Sequence, residues 1–422
     1  MPAPARAPRA PRAPRAPRPD LQTLTAAEAR AFLVGHHGLR AVEHPPGAEG
    51  VRALVRRLRC IQLDPLDPLG TNADLVALAR LDGIAKGDVY RHLLPGHAFE
   101  HFAKERCLLP PEAFPWYRAE LMVEAPWWSH QERLRRLPPG VVEAVLAEVR
   151  ARGPVGADDV TDHGRVEPLD WSGWKGTPRA AKMALEVLWA RCDVVVCGRT
   201  ARGGKTYDVP ERALPGVAAR DPHPARRSAE ARIAAFRRWA TVDRVEAAGL
   251  LSTAGSAAWS TLEPARRAGI AAALVAEGAV EEVRVEGSTR TFLAPRGFRA
   301  RSHPPADGRI RLLGPLDPLV WDRGLVKAAF GFEYTWEVYR PAALRTFGWY
   351  VCPLLAGDAL VGRLDGAVDR GALRVRAVWA EPGADLDPGA LRACLERHAA
   401  ACGVDRVVMP RRIRVNQARD RS

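Results

Sequence analysis

Apolar residues in TLTAAEARAFLVGHHGL fall at helical intervals, with Thr25 as N-cap and Glu28 three residues later completing a capping box. A second helix is expected around Gly50 to Arg57. It leads into the alternating run Cys60-Ile61-Gln62-Leu63-Asp64, a short extended segment ended by prolines. DLVALARLDG and DVYRHLL then read as short helices. Between residues 137 and 210 the order is a helix in VVEAVLAEVRARG, a short helix in PVGADDV and an amphipathic helix in TPRAAKMALEVLWARCD. DVVVCGRTARGGKTYDVP closes the set as two strands joined by a Gly-rich, basic tip. The order returns in RSAEARIAAFRRWA, TVDRVEAAGLL and TLEPARRAGIAAALVAEG, with residues 281–285 and 289–293 as hairpin arms. Helix, helix, helix, hairpin is the order of a winged helix, and its recurrence argues for tandem units.

After about Leu312 the pattern changes to short alternating runs separated by Gly-Asp and Asp-Arg-Gly turns, then a helix in DPGALRACLERHAAAC and a closing strand in VDRVVMP. The fold class expected is α+β: tandem winged-helix subdomains followed by a C-terminal antiparallel β-barrel.

Length and charge sharpen this picture. The 422 residues suffice for two to four compact domains, and 47% hydrophobic content is that of a globular chain. No apolar run is long enough to span a membrane, and the N-terminus lacks the apolar core of a secretory signal, so a cytoplasmic protein is expected. The formal charge of +14 favours a polyanionic partner. Only six of the basic residues are lysines; arginine suits bidentate phosphate contacts, although coding bias also favours Arg over Lys. In the N-terminal tail Arg6, Arg9, Arg12, Arg15 and Arg18 recur with the period of polyproline II. The seven cysteines are scattered, without zinc-type spacing or a disulfide framework, and read as buried thiols. Neither the cysteines nor His37, His92, His97, His101, His130 and His163 suggest a metal site.

Candidate chemistry is sparse. GRTARGGKT has the wrong spacing for a phosphate loop and is followed by a strand. Gln62 and Asp64 project from one side of an extended segment. Such a pair lets an amide hold a water or sugar oxygen while a carboxylate polarises the water and faces positive charge developing on a sugar carbon. That is half of a glycosidase, and the missing general acid is unnecessary when the leaving group is already cationic, as an N7-alkylated purine is. A surface turn with an Asp cap explains the same triplet. Glu105 in HFAKERCLLP reads either as a carboxylate orienting Gln62 or as an ion-pair partner of Lys104 or Arg106. Asp317 in LGPLDPLVWDR reads either as a rigid polar post or as a salt-bridged domain junction. Trp127, Trp128, Trp171 and Trp174 suit base stacking or domain interfaces. Arg179 and Lys182 on the amphipathic helix, with Arg199, Arg202 and Lys205 at the hairpin tip, are the candidate phosphate contacts.

Taken together, CIQLDPLDPLG, FAKERCLLP, WSGWKGTPRAAKMALEVLWARCDVVV, KTYDVPERALP, LGPLDPLVWDR and FGWYVCPLLAGDALVGRLD resemble the winged-helix DNA glycosylases of bacterial crosslink repair, from about Leu21 to Pro410. The resemblance implies three tandem winged helices and a C-terminal β-barrel. Residues 1–20 would then be an Arg/Pro tail, 21–135, 136–222 and 223–310 the winged helices, 311–412 the barrel and 413–422 a flexible tail. Gln62-Leu63-Asp64 resembles the Gln-x-Asp branch, implying Asp64 as principal catalytic residue and Gln62 as its water- or sugar-positioning partner. The implied activity is a monofunctional, cofactor-free glycosylase. It would act as a monomer at the nucleoid on double-stranded DNA carrying N7-alkylpurines or interstrand crosslinks. A non-catalytic regulator or damage sensor is the alternative. No lysine is evident near Asp64 to form a Schiff base, so lyase activity is not expected.

Overall fold

The computed structural model describes residues 21–118, 127–169, 179–222 and 228–416. The chain enters through β1 (Thr23–Leu24) and the helix Ala26–His36, where Thr25 and Glu28 form the expected capping box. One arrangement then occurs three times. First come the helix Gly47–Leu58, β2 (Ile61–Gln62), the helices Asn72–Leu78 and Asp88–Leu93, and a hairpin of β3 (Phe99–Ala103) and β4 (Glu105–Leu109). The second repeat contains the helix Val141–Arg152, β5 (Val155–Gly156), the helix Ala180–Ala190, and the hairpin β6 (Val195–Arg199) and β7 (Lys205–Asp208). In the third are the helix Ala229–Ala248, β8 (Leu251–Ser252), the helices Glu263–Arg267 and Ile270–Ala276, and the hairpin β9 (Val280–Val285) and β10 (Thr291–Pro295). In each repeat the short strand pairs antiparallel with the second hairpin arm, giving the orders β2-β4-β3, β5-β7-β6 and β8-β10-β9.

Two local expectations are corrected. PVGADDV supplies β5 instead of a short helix, because two strand residues are too few to carry a period. The two helices read before Leu250 are one helix, Ala229–Ala248: no Gly or Pro interrupts it, and Thr241 Oγ1 back-bonds to the Arg237 carbonyl at 2.7 Å. The first hairpin, which the resemblance implies within 21–135, carries no turn signal in the residue pattern. Its tip is Lys104 followed by Glu105 at φ 58°, where turn signals usually come from Gly or Asn.

The repeats do not pack as separate beads. The first two share a core in which Val51, Leu54 and Val76 join Val145, Leu185 and Trp189. β1 adds to the third sheet, parallel to β9, and Leu24, Phe32 and Leu33 pack with Val283 and Phe292. The N-terminal helix is therefore built into the third repeat, although sequence order assigns it to the first.

β11 (Ile310–Leu312), β12 (Val351–Ala356), β13 (Ala359–Asp369) and β14 (Ala372–Ala380) form an antiparallel run. The helix Pro388–Ala401 then carries the chain back, so β15 (Arg406–Val408) lies parallel to β14, and β16 (Arg414–Val415) pairs parallel with the other end of β14. The sheet curls into a half-barrel and is mixed, since β15 and β16 pair parallel with β14, so the expectation of a purely antiparallel sheet is corrected. A helical crossover returns the chain in the same direction, which dictates the parallel pairing. Arg414 and Val415 thus lie in a sheet, inside the segment expected to be a tail.

Candidate active site

The helix Gly47–Leu58 buries Val51, Leu54, Val55 and Leu58 and ends at Arg59, whose φ of 60° turns the chain sharply into Cys60 and β2. Gln62 then pairs with Cys107 on β4, and Leu63 N–H donates to the Arg106 carbonyl at 2.8 Å. Pairing stops there because Pro65 and Pro68 lack a backbone donor. Asp64 folds back on this turn, its Oδ1 accepting from Leu66 N–H at 2.9 Å. From behind, the fully buried Asn72 donates its Nδ2 to the Gln62 carbonyl at 2.8 Å. Asn72 starts the helix capped by Thr71, so the motif is pinned on both sides.

The segment after Asp64 is clamped to the C-terminal sheet. Pro68 carbonyl accepts from Val368 N–H at 2.7 Å, and His398 Nε2 lies 2.6 Å from the Leu69 carbonyl. Leu66 and Leu69 enter the core that holds Trp336, Trp349 and Tyr350. The motif therefore sits at the seam between the first repeat and the C-terminal sheet. Half burial raises the Asp64 pKa above the ordinary carboxylate value, against the lowering effect of the Leu66 N–H. Burial first, and the charges of Cys352 and Asp64 after it, keep the Tyr350 phenol protonated far beyond its usual range. Asp64 makes no ion pair among the described residues. This is the state a general base needs: ionisable, partly desolvated and not already neutralised by a cation.

Gln62 is itself buried, and its Oε1 accepts from Lys104 Nζ at 2.7 Å. A lysine thus lies beside the motif, bonded to Gln62, with no hydrogen bond or ion pair to Asp64 among the described residues. Glu105, one residue on, is exposed and turns away: Ser260 Oγ donates to its Oε1 at 2.7 Å. The group meeting Gln62 is the lysine rather than the carboxylate.

Asp317 is wholly buried and takes a bidentate ion pair from Arg80, at 2.7 and 2.9 Å, while also accepting from Leu319 N–H at 3.0 Å. Arg80 also donates to the carbonyls of His37 and Val76. Asp317 therefore touches neither Gln62 nor Asp64 and holds the Arg80 side chain that bonds to the helix Asn72 begins.

The basic candidates divide. Arg199 and Lys205 point inward to Glu100 on β3, whose carboxylate is closed to solvent; the Lys205 contact is 3.1 Å. Arg199 also lies 4.4 Å over the Tyr90 ring. Arg179 stands just before its helix and turns its guanidinium away from it, donating to the carbonyls of Asp158 and Val160. Lys182 and Arg202 remain exposed. Trp127 packs edge-on against Phe102 with centroids 5.0 Å apart, and Trp128 is exposed; Trp171 and Trp174 lie outside the described residues, as does the Arg/Pro tail. All seven cysteines are free, six of them buried. Among the described residues no cluster of three His, Cys, Asp or Glu could hold a metal, and no helix is long and apolar enough to cross a membrane.

Sequence reasoning passed over Lys104, Asn72 and Glu100. Lys104 and Glu100 are remote in sequence from what they touch, 42 residues from Gln62 and 99 from Arg199, while Asn72 stands ten residues from Gln62 across the proline turn.

Comparison with known proteins agrees with this architecture. Streptomyces sahachiroi DNA glycosylase AlkZ has a similar structure, with a TM-score of 0.58 at 17% sequence identity; the match covers 93% of this chain and all of that one. At that identity the likeness is one of fold. The sequence model described as DNA glycosylase AlkZ-like matches residues 55–401, a segment that holds Gln62, Asp64, Lys104, all three hairpins and most of the C-terminal sheet. The chain belongs to the AlkZ-like DNA glycosylase family.

Proposed function

We propose that this protein is a monofunctional DNA glycosylase that hydrolyses the N-glycosidic bond of N7-alkylated purines and unhooks interstrand crosslinks during base excision repair. The observation that carries the reading is Asp64: a half-buried carboxylate without an ion pair among the described residues, two residues from a Gln62 pinned through its backbone and its amide. The three repeats have the strand order of winged helices, and the C-terminal sheet is a partly closed barrel beside them. The net positive charge favours double-stranded DNA as the partner.

In this mechanism Asp64 accepts a proton from water as the water oxygen bonds to deoxyribose C1′. The C1′–N9 bond breaks, and its electron pair neutralises the cationic purine, which leaves as free base. The Asp64 anion also faces the positive charge that builds on the sugar. No metal or organic cofactor is needed, since the lesion supplies its own activation. Lys104 is turned into Gln62, away from a role as Schiff-base nucleophile, so the product is an abasic site. The protein would act as a monomer in the bacterial cytoplasm, at the nucleoid.

The test is release of free 7-methylguanine from methylated duplex DNA in EDTA. Wild type is expected to release base, and Asp64→Asn to lose about 100- to 10,000-fold in rate while keeping its DNA affinity. Tight binding by both proteins, without release from methylated or crosslinked duplex, would identify a damage sensor instead.

A further inference from the structure

We propose that Lys104 is a positioning residue that holds the Gln62 carboxamide with its carbonyl inward, so that Gln62 meets water or sugar as an N–H donor. The inference deepens the glycosylase reading above and rests on it. An ammonium group can only donate, so the amide atom 2.7 Å from Lys104 Nζ is the carbonyl oxygen Oε1. Turning the amide over would set two donors against each other. Nε2, with both its hydrogens, is left on the other side. A donor there binds a water through its oxygen and leaves the water's protons for Asp64, as base-assisted attack requires.

Everything around Lys104 fixes it in that place. It forms the tip of the β3–β4 hairpin yet is only 6% exposed. Its carbonyl accepts from Cys107 Sγ at 3.0 Å, and its ammonium lies 5.4 Å from the centre of the Trp321 ring. The third repeat grips the tip on both sides: Thr261 Oγ1 donates to the Ala103 carbonyl at 2.6 Å, and Ser260 holds Glu105. Ser260 and Glu105 both adopt positive φ, 41° and 58°, a conformation disfavoured for either residue, and the two meet at this contact. No carboxylate pairs with Nζ among the described residues. A buried cation met by a neutral amide and a ring face is costly, and an apolar side chain would fill the same space more cheaply. What the lysine adds is a directed donor at Gln62.

The experiment is a double-mutant cycle read by single-turnover release of 7-methylguanine, using wild type, Lys104→Met, Gln62→Ala and the double variant. Duplex affinity and the urea midpoint are followed in parallel. Lys104→Met is expected to release base about tenfold or more slowly with affinity within about twofold of wild type. The double variant should be no slower than Gln62→Ala alone, and Lys104→Gln, which keeps an N–H donor, should recover part of the rate. Additive losses in the double variant, or an undiminished rate in Lys104→Met, overturn the proposal. Should Lys104→Met fail to fold, the same cycle with Lys104→Gln decides by the same additivity. Absence of release by wild type overturns the glycosylase reading and this proposal with it; release by wild type with additive losses overturns this proposal alone.

Discussion

The hairpins of the first and second repeats occupy the same place in the same topology and meet opposite surroundings. In the first, the tip residue Lys104 is buried, gripped by the third repeat and bonded to Gln62. In the second, the tip around Arg202 is exposed, and only its base is tied down, where Arg199 and Lys205 reach Glu100. Glu100 lies on the first hairpin, so one strand both carries the tip that serves the motif and anchors the hairpin that faces solvent. A repeated unit is thus put to two uses. A tip that would meet phosphate in isolation becomes internal support when another repeat covers it, and its basic residue then meets an amide instead of DNA.

That contrast can be broken at its hinge. Glu100→Ala leaves two cations at a site where their side chains are only 21% exposed. It should lower unfolding free energy by about 2–4 kcal/mol, somewhat less than breaking a fully buried pair, as read from urea denaturation. A smaller change isolates the inward hairpin. Thr261→Val removes the bond to the Ala103 carbonyl, and a stability loss of about 1 kcal/mol is expected, together with slower base release at unchanged DNA affinity. The outward hairpin is tested by comparing two arginines. Arg202→Ala should weaken duplex binding by less than about 1 kcal/mol and reduce the salt slope by roughly 1, whereas Arg199→Ala should lower stability and leave the slope where it is. Equal effects of the two on the salt dependence would erase the distinction.

The smallest effect concerns Asp64 itself. Burial raises its pKa in the folded protein, so the folded state takes up a proton more readily than the unfolded chain. Stability contributed at this position therefore falls as pH rises from the unfolded to the folded pKa and stays low above it. Asp64→Asn, always neutral, should raise Tm slightly at pH 7 to 8, and the gain should shrink as pH falls through the folded pKa and vanish below the unfolded one. Base release by wild type should fail on acidification at a higher pH than an unperturbed carboxylate would give. A thermal scan and a pH–rate profile check the two signs.

The legible parts of this protein were those governed by local rules. The capping box at Thr25, the amphipathic helix Gly47–Leu58 and the Gly-rich β6–β7 turn all carry their signals within a few residues. The hairpin at Lys104 carried none, because its left-handed residue is a glutamate held by Ser260, 155 residues away. Likewise, the polarity of Arg199 and Lys205 suggested phosphate until Glu100, 99 residues from Arg199, claimed them.

By itself the sequence determined the helix–hairpin repetition, the positive charge, and a Gln-x-Asp motif ended by prolines, since each depends on side-chain period, formal charge or backbone geometry over a short span. Only the tertiary structure decided which basic residues face solvent, that the N-terminal helix completes the third repeat, and that a buried lysine stands behind Gln62. Burial and ion pairing depend on what the rest of the chain brings to a point in space, and no local pattern encodes that.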